Sequence, residues 1–146
     1  MEFYNINDKS ETASFNEAVM RGAAGGKGMY FPVDIPVLDT QFFRNISQMD
    51  LADLGYEVLK HFTGDDLSEN ELRRVCGEVF QFPLPVTEIE DNVNVLELFH
   101  GPSLSFKDVG TRFLAGLLRL YVEKYNSRFT VLVATSGDTG SAVAKS

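Results

Sequence analysis

Cysteine is nearly absent: Cys76 is the only one in 146 residues, so no disulfide can form within the chain. That usage fits a reducing compartment such as the cytoplasm. Cys76 itself reads as a small core residue on a helix. Positive charge is scarce as well, with 13 Lys and Arg against 21 Asp and Glu and a formal net charge of -8. Phosphate-backbone binding wants a basic face, so nucleic acid is excluded as a main partner. No apolar run approaches the roughly 20 residues of a membrane-spanning helix, and no membrane partner is expected. The opening Met1-Glu-Phe-Tyr-Asn5 lacks both the basic start and the apolar stretch of a secretory signal. Repeats and low-complexity segments are missing too. What is present is ordinary globular composition, 44% hydrophobic and 23% charged, at a length that allows one ordinary domain.

Residues 1–90 read as one small, mainly helical domain. Phe3-Tyr4-Asn5 reads as a short strand followed by a polar turn. Ser14 with Glu17 three residues later has capping-box spacing and opens a helix through Val19 to Arg21. Gly22 and the run Gly25-Gly26-Lys27-Gly28 break it. Met29-Tyr30-Phe31 is a short apolar strand ended by Pro32, and Asp39 or Thr40 starts a short helix. Asp50 precedes Leu51, Leu54, Val58, Leu59 and Phe62 at helical spacing, with Gly64 as the stop. Ser68 with Glu71 repeats the capping box before the apolar stripe Leu72, Val75, Val79 and Phe80. Pro83 and Pro85 mark the boundary.

Beyond Pro85 the period changes. Val93 to Phe99 reads as a strand, and 100–105 as a loop. From Lys107 or Asp108, Val109, Phe113, Leu114, Leu117, Leu118 and Tyr121 recur at helical spacing. Phe129 to Ala134 is β-branched and reads as a buried parallel strand. A loop over Thr135–Gly140 then leads to a helix beginning at Ser141. Strand, helix, strand, helix predicts an α/β fold, the start (βαβα) of a parallel sheet with a right-handed crossover. Both loops then lie at carboxyl ends of strands, where open α/β sheets put their ligands. Two parallel strands cannot cover themselves, so residues 91–146 are expected to be the first part of a larger, incomplete domain.

Two loops carry the chemistry. Lys107 stands at a strand-to-helix junction behind apolar Phe106, and a partly desolvated amine there can attack a carbonyl. The ordinary alternative is a surface lysine in a first helical turn, although helix starts disfavour cations. Asp108 beside it is expected to balance the charge. His100 reads as a loop or core histidine that orders the segment, with proton transfer the lesser expectation. In Thr135-Ser-Gly-Asp-Thr-Gly-Ser141, glycines, hydroxyls and the N–H groups of a helix start suit a small anion. The same pattern equally suits a well-capped helix start, and Asp138 would repel an anion.

The run Leu98-Phe-His-Gly-Pro-Ser-Leu-Ser-Phe-Lys-Asp108 closely resembles the threonine synthases, pyridoxal-phosphate (PLP) enzymes of the tryptophan-synthase-β-like fold. So does Ala134-Thr-Ser-Gly-Asp-Thr-Gly-Ser-Ala142. Phe3-Tyr-Asn5, Gly28-Met-Tyr-Phe-Pro32 and Phe80-Gln-Phe-Pro-Leu-Pro85 resemble that family's N-terminal domain. The resemblance covers essentially the whole chain but only the front part of the family's length. It implies that Lys107 is the catalytic residue and holds PLP as a Schiff base. It also implies that Asp138, where related PLP enzymes carry asparagine, faces the cofactor ring. Thr135, Ser136, Gly137 and Thr139 are implied to bind the substrate carboxylate. The PLP phosphate loop and the partner of the pyridine nitrogen are implied to lie past Ser146.

The implied activity of the full-length protein is the last step of threonine biosynthesis. O-phospho-L-homoserine and water become L-threonine and phosphate in the cytoplasm. The 146 residues alone are expected to be inactive, the remainder of the catalytic domain being absent. Two rivals are a related phospho-lyase that releases a keto acid and a non-catalytic, truncated binding module.

Overall fold

The computed structural model describes all residues from Met1 to Ser146. In chain order its elements are β1 (Glu2–Asn5), β2 (Asp8–Ser14), α1 (Phe15–Arg21), β3 (Tyr30–Pro32), α2 (Thr40–Asn45), α3 (Leu51–Thr63), α4 (Glu69–Val79), β4 (Val86–Glu90), β5 (Val93–Leu96), α5 (Lys107–Tyr125) and α6 (Asp138–Lys145). The chain is mixed α/β and divides into two compact units, Met1–Arg74 and Val75–Ser146. No helix is long and apolar enough to cross a membrane.

In the first unit, local side-chain caps start the helices where the sequence predicts. Ser14 Oγ accepts the Glu17 N–H at 3.3 Å, and Glu17 Oε2 accepts the Ser14 N–H at 2.9 Å, a complete capping box. Asp39 and Asp50 cap α2 and α3 through the Phe42 and Asp53 N–H groups, at 2.7 and 2.8 Å. Ser68 and Glu71 exchange the same kind of bonds ahead of α4. Each cap satisfies an N–H that a helix start leaves without an intrahelical partner.

The three-stranded antiparallel sheet, in the order β2-β1-β3, departs from expectation in β2. Asp8–Ser14 is a polar run between Asn5 and the Ser14 cap, where the sequence reads as a polar turn and no strand is expected. It becomes a strand because β1 supplies its hydrogen bonds, pairing Phe3 with Ala13 and Tyr4 with Thr12. Asn5, buried at the end of β1, ties the glycine run to this sheet: its Nδ2 donates to Gly25 O at 2.9 Å and to Glu11 Oε2 at 2.7 Å.

In the second unit the buried apolar side chains are Val75, Cys76, Val79, Leu117, Leu120, Tyr121 and Ala142. Cys76 is fully buried on α4, in keeping with its expected place. Gly116 lets α5 approach α4 closely, since a Cβ there would stand 3.0 Å from Val75 Cγ1. Arg112 closes the end of α4 by donating to Glu78 O at 2.9 Å and Val79 O at 3.3 Å.

The expected parallel βαβα start is not formed. The strand predicted over 93–99 is shorter and folds back on β4 as an antiparallel hairpin, Val86 opposite Leu96. Its turn is made by Asn92 in the left-handed region, at φ +64. Phe129–Ala134 forms no strand, and Leu132 is 90% exposed. The physical reason is pairing. A β-branched run becomes a strand only when a neighbour takes its N–H and C=O groups, and no other segment of this chain does so.

Candidate active site

Lys107 is the first residue of α5, and the helix opens without help from a side-chain cap at Phe106. The loop before it turns through a Leu104 N–H bond to Gly101 O at 3.0 Å. Two further bonds set the first helical turn: Lys107 N–H to Ser105 Oγ at 3.4 Å and Asp108 N–H to Ser105 O at 3.1 Å. Lys107 is half-buried, and its Nζ lies 4.4 Å from the centre of the Phe106 ring. No hydrogen bond or ion pair holds that amine. The ring face attracts the cation without consuming its donors.

The amine borders a cavity of about 580 Å³. Leu84, Leu98, Val109 and Gly110 supply apolar walls, while Thr111 and Thr139 are the other polar side chains of the lining. Thr111 stands one helical turn after Lys107, on the same face, and donates to Lys107 O at 3.0 Å. That i+4 relation is visible in the sequence, but sequence reasoning passed over it. Leu84 and Leu98 fall within runs that resemble the family, but no periodicity singles them out as part of the lining.

The second motif starts α6 at Asp138, three residues before the expected Ser141. Gly137 makes the early start possible with a φ of +144, a conformation that side chains rarely adopt. Ser141 N–H makes a helical bond to Gly137 O at 2.8 Å. The N–H groups of Asp138, Thr139 and Gly140 therefore precede the helical ladder and form its electropositive end. Thr135 is turned into its own loop, accepting the Gly137 N–H on Oγ1 at 3.3 Å. Gly140 leaves room for it, as a Cβ there would meet Thr135 Cγ2 at 2.6 Å. Among the expected substrate-carboxylate and cofactor-ring residues, Thr139 lines the Lys107 cavity, whereas Thr135, Ser136, Gly137 and Asp138 are exposed.

Two neighbours behave differently from expectation or beside it. Asp108 does not balance Lys107. It is fully buried and turns back on the loop, where Oδ2 accepts the Ser103 N–H at 2.9 Å. His100 is exposed and does not line the Lys107 cavity; its Nε2 meets Glu97 Oε2 at 2.5 Å. Thr87 Oγ1 donates to the other Glu97 oxygen at 2.9 Å. The His100 bond, followed by the Thr87 bond, holds the Glu97 carboxyl below its ordinary range.

Residues 2–80, more than half of the chain, match the family model for the threonine synthase N terminus. The chain belongs to that family. Its relatives include the threonine synthase of Serratia marcescens, 38% identical over 144 residues, covering 99% of this chain and 33% of that protein. The crystal structure of threonine synthase from Escherichia coli matches with a TM-score of 0.90 at 39% identity, over 99% of this chain and 33% of that one. The PLP-bound threonine synthase from Brucella melitensis matches with a TM-score of 0.91 at 29% identity, over 99% of this chain and 32% of that one. The chain thus spans about a third of the length of the threonine synthases it matches. The matches extend past residue 80 and include both loops.

Proposed function

We propose that this chain carries the N-terminal portion and the cofactor-anchoring lysine of a PLP-dependent threonine synthase. The complete enzyme converts O-phospho-L-homoserine and water to L-threonine and phosphate. The observation that carries the reading is the cavity at the start of α5, where an amine without hydrogen-bond or ion-pair partners meets apolar walls. Once it gives up its proton, such an amine is a nucleophile for an aldehyde. Leu84, Leu98 and Val109 suit the faces of a planar ring. The residues present therefore fit the aldehyde and ring end of PLP.

When bound, PLP supplies an electron sink for charge that develops on substrate carbons. Lys107 would hold it through Nζ, and the free amine would carry protons at the α, β and γ carbons of the substrate. The N–H groups that open α6 would receive the substrate carboxylate, with Thr135, Ser136, Gly137 and Thr139 around it. Asp138 would contact the cofactor ring. Thr139 on the Lys107 cavity supports bringing the two motifs together.

Residues 1–90 as the family's N-terminal domain, 91–146 as the first part of the catalytic domain, and a cytoplasmic setting belong to the same proposal. With 129–134 unpaired, the isolated chain is expected to take up PLP weakly and to turn over no O-phospho-L-homoserine. The test is to incubate the chain with PLP, reduce with borohydride and map the label by mass spectrometry. Label is expected on Lys107, together with a visible absorbance band before reduction that Lys107→Ala abolishes. Label spread evenly over Lys9, Lys27, Lys60, Lys107, Lys124 and Lys145 would overturn the assignment of the anchor.

A further inference from the structure

Next to Lys107, and turned back against the loop that precedes it, is a buried carboxylate for which the proposed chemistry has no use. Asp108 is fully buried in the first turn of α5. Its Oδ2 accepts the Ser103 N–H at 2.9 Å, across five residues. Gly101 is pressed against the same oxygen, and a Cβ at 101 would stand 2.4 Å from it. Between these contacts Leu104 sits at φ +58. A leucine persists in the left-handed region only when its surroundings hold it there. Here the surroundings are the Gly101–Leu104 turn bond and the Asp108 carboxylate beneath it.

Burying this carboxylate is unfavourable by itself. Asp108 Oδ1 and Ser103 Oγ are both buried without a hydrogen-bond partner. A loop whose only task was connection would gain from an apolar side chain at this place. The α5 start explains the need. Phe106 provides no side-chain cap, and the first turn is tied to the loop through Ser105, Phe106 O and, one step further back, the 101–104 turn. If that turn opens, Ser105 and Phe106 lose the footing from which they set where the helix begins.

We propose that Asp108 is a positioning residue for Lys107: its carboxylate clasps the 101–104 turn and so fixes the point at which Nζ enters the cavity. The inference rests on Lys107 being the anchor, and its test separates the two. Asp108→Ala removes the clasp. Asp108→Asn keeps an oxygen for the Ser103 N–H and serves as the conservative rescue. Gly101→Ala displaces the carboxylate without touching Asp108, which keeps the proposal testable should Asp108→Ala fail to fold.

Two readouts are taken on each variant: amide hydrogen exchange, and the share of borohydride-trapped PLP carried by Lys107 relative to the five other lysines. In Asp108→Ala and Gly101→Ala the Ser103 amide should exchange roughly tenfold faster or more, the equivalent of one lost hydrogen bond. Amides of Leu117 to Tyr121 should keep their protection, and the Lys107 share should fall several-fold. Asp108→Asn should keep both readouts near those of the unsubstituted chain. Unchanged Ser103 exchange in Asp108→Ala overturns the clasp. Faster exchange with an unchanged Lys107 share overturns the positioning. A chain that shows no Lys107 preference before any substitution overturns the anchor assignment, and this inference with it.

Discussion

Gly28→Ala is a sharp perturbation of the first unit because the structure isolates its cause. A Cβ at position 28 would lie 1.8 Å from Asn5 Oδ1 and 2.7 Å from Asn5 Cγ. Gly28 has φ -78, which any residue adopts, so the backbone adds no strain of its own. Asn5 is 1% exposed and cannot swing into solvent without leaving its partners. Those partners are the charged Glu11 Oε2 at 2.7 Å, Gly25 O at 2.9 Å and the Asn7 N–H at 3.0 Å. Neutral bonds contribute about 0.5–1.5 kcal/mol each and a bond to a charged group about 1.5–3 kcal/mol. Losing the set costs about 2.5–6 kcal/mol. The reduced entropy of the unfolded chain returns about 0.4–1 kcal/mol, leaving a net loss of about 1.5–5.5 kcal/mol. That is a large fraction of the 5–15 kcal/mol that typically holds a domain together.

The assay is urea denaturation of Gly28→Ala, Asn5→Ala and the double variant. Asn5→Ala removes the atom that Cβ strikes, so Gly28→Ala should cost little in that background. The coupling energy should then account for most of the single effect. A Gly28→Ala protein within about 0.5 kcal/mol of the unsubstituted chain, the scatter of ordinary surface changes, would refute the reasoning. So would an equal penalty in both backgrounds.

Two further outcomes follow from single positions in the second unit. Gly137→Ala meets no atom within 4 Å, so its whole cost is the strain of φ +144, about 1–3 kcal/mol. It should appear as faster exchange of the Ser141 amide, which bonds to Gly137 O; unchanged protection there would contradict the reading. Glu97 has its folded pKa below the ordinary 4.5, so its contribution is fully present above 4.5 and is lost as pH falls through the lower folded value. A side-chain NMR titration should show the Glu97 step below 4.5, and a midpoint above 4.5 would remove the basis for a stabilising His100–Glu97 contact.

What the sequence discloses depends on how far apart the deciding groups stand. Helix starts at Ser14, Asp39, Asp50 and Ser68 were legible because each cap lies within three residues of the N–H it serves. Strands were legible only in part. The polar Asp8–Ser14 becomes a strand because β1 is beside it, whereas the strongly β-prone Phe129–Ala134 does not, because nothing here is. The parallel sheet was read from propensity, and propensity describes what a segment can do once a partner is present. The β4–β5 hairpin was missed for a related reason. Val86–Glu90 is exposed along its whole length and has no core-facing alternation to announce it.

The same argument explains why the two chemical loops keep definite shapes although the expected sheet around them is not formed. Each is closed by short-range contacts: Asp108 to Ser103 across five residues, and Gly137 to Thr135 across two. Lys107 and Thr139 lie far apart in sequence, yet both line one cavity, carried there by the first turns of α5 and α6. Loop geometry is therefore encoded locally and can be set before any parallel strand pairs. What the sheet would add is burial, covering apolar segments such as Val131–Val133 that now face solvent. On this view Phe129–Ala134 is the segment that most lacks a partner, while Lys107 already has the surroundings that the proposed anchoring calls for.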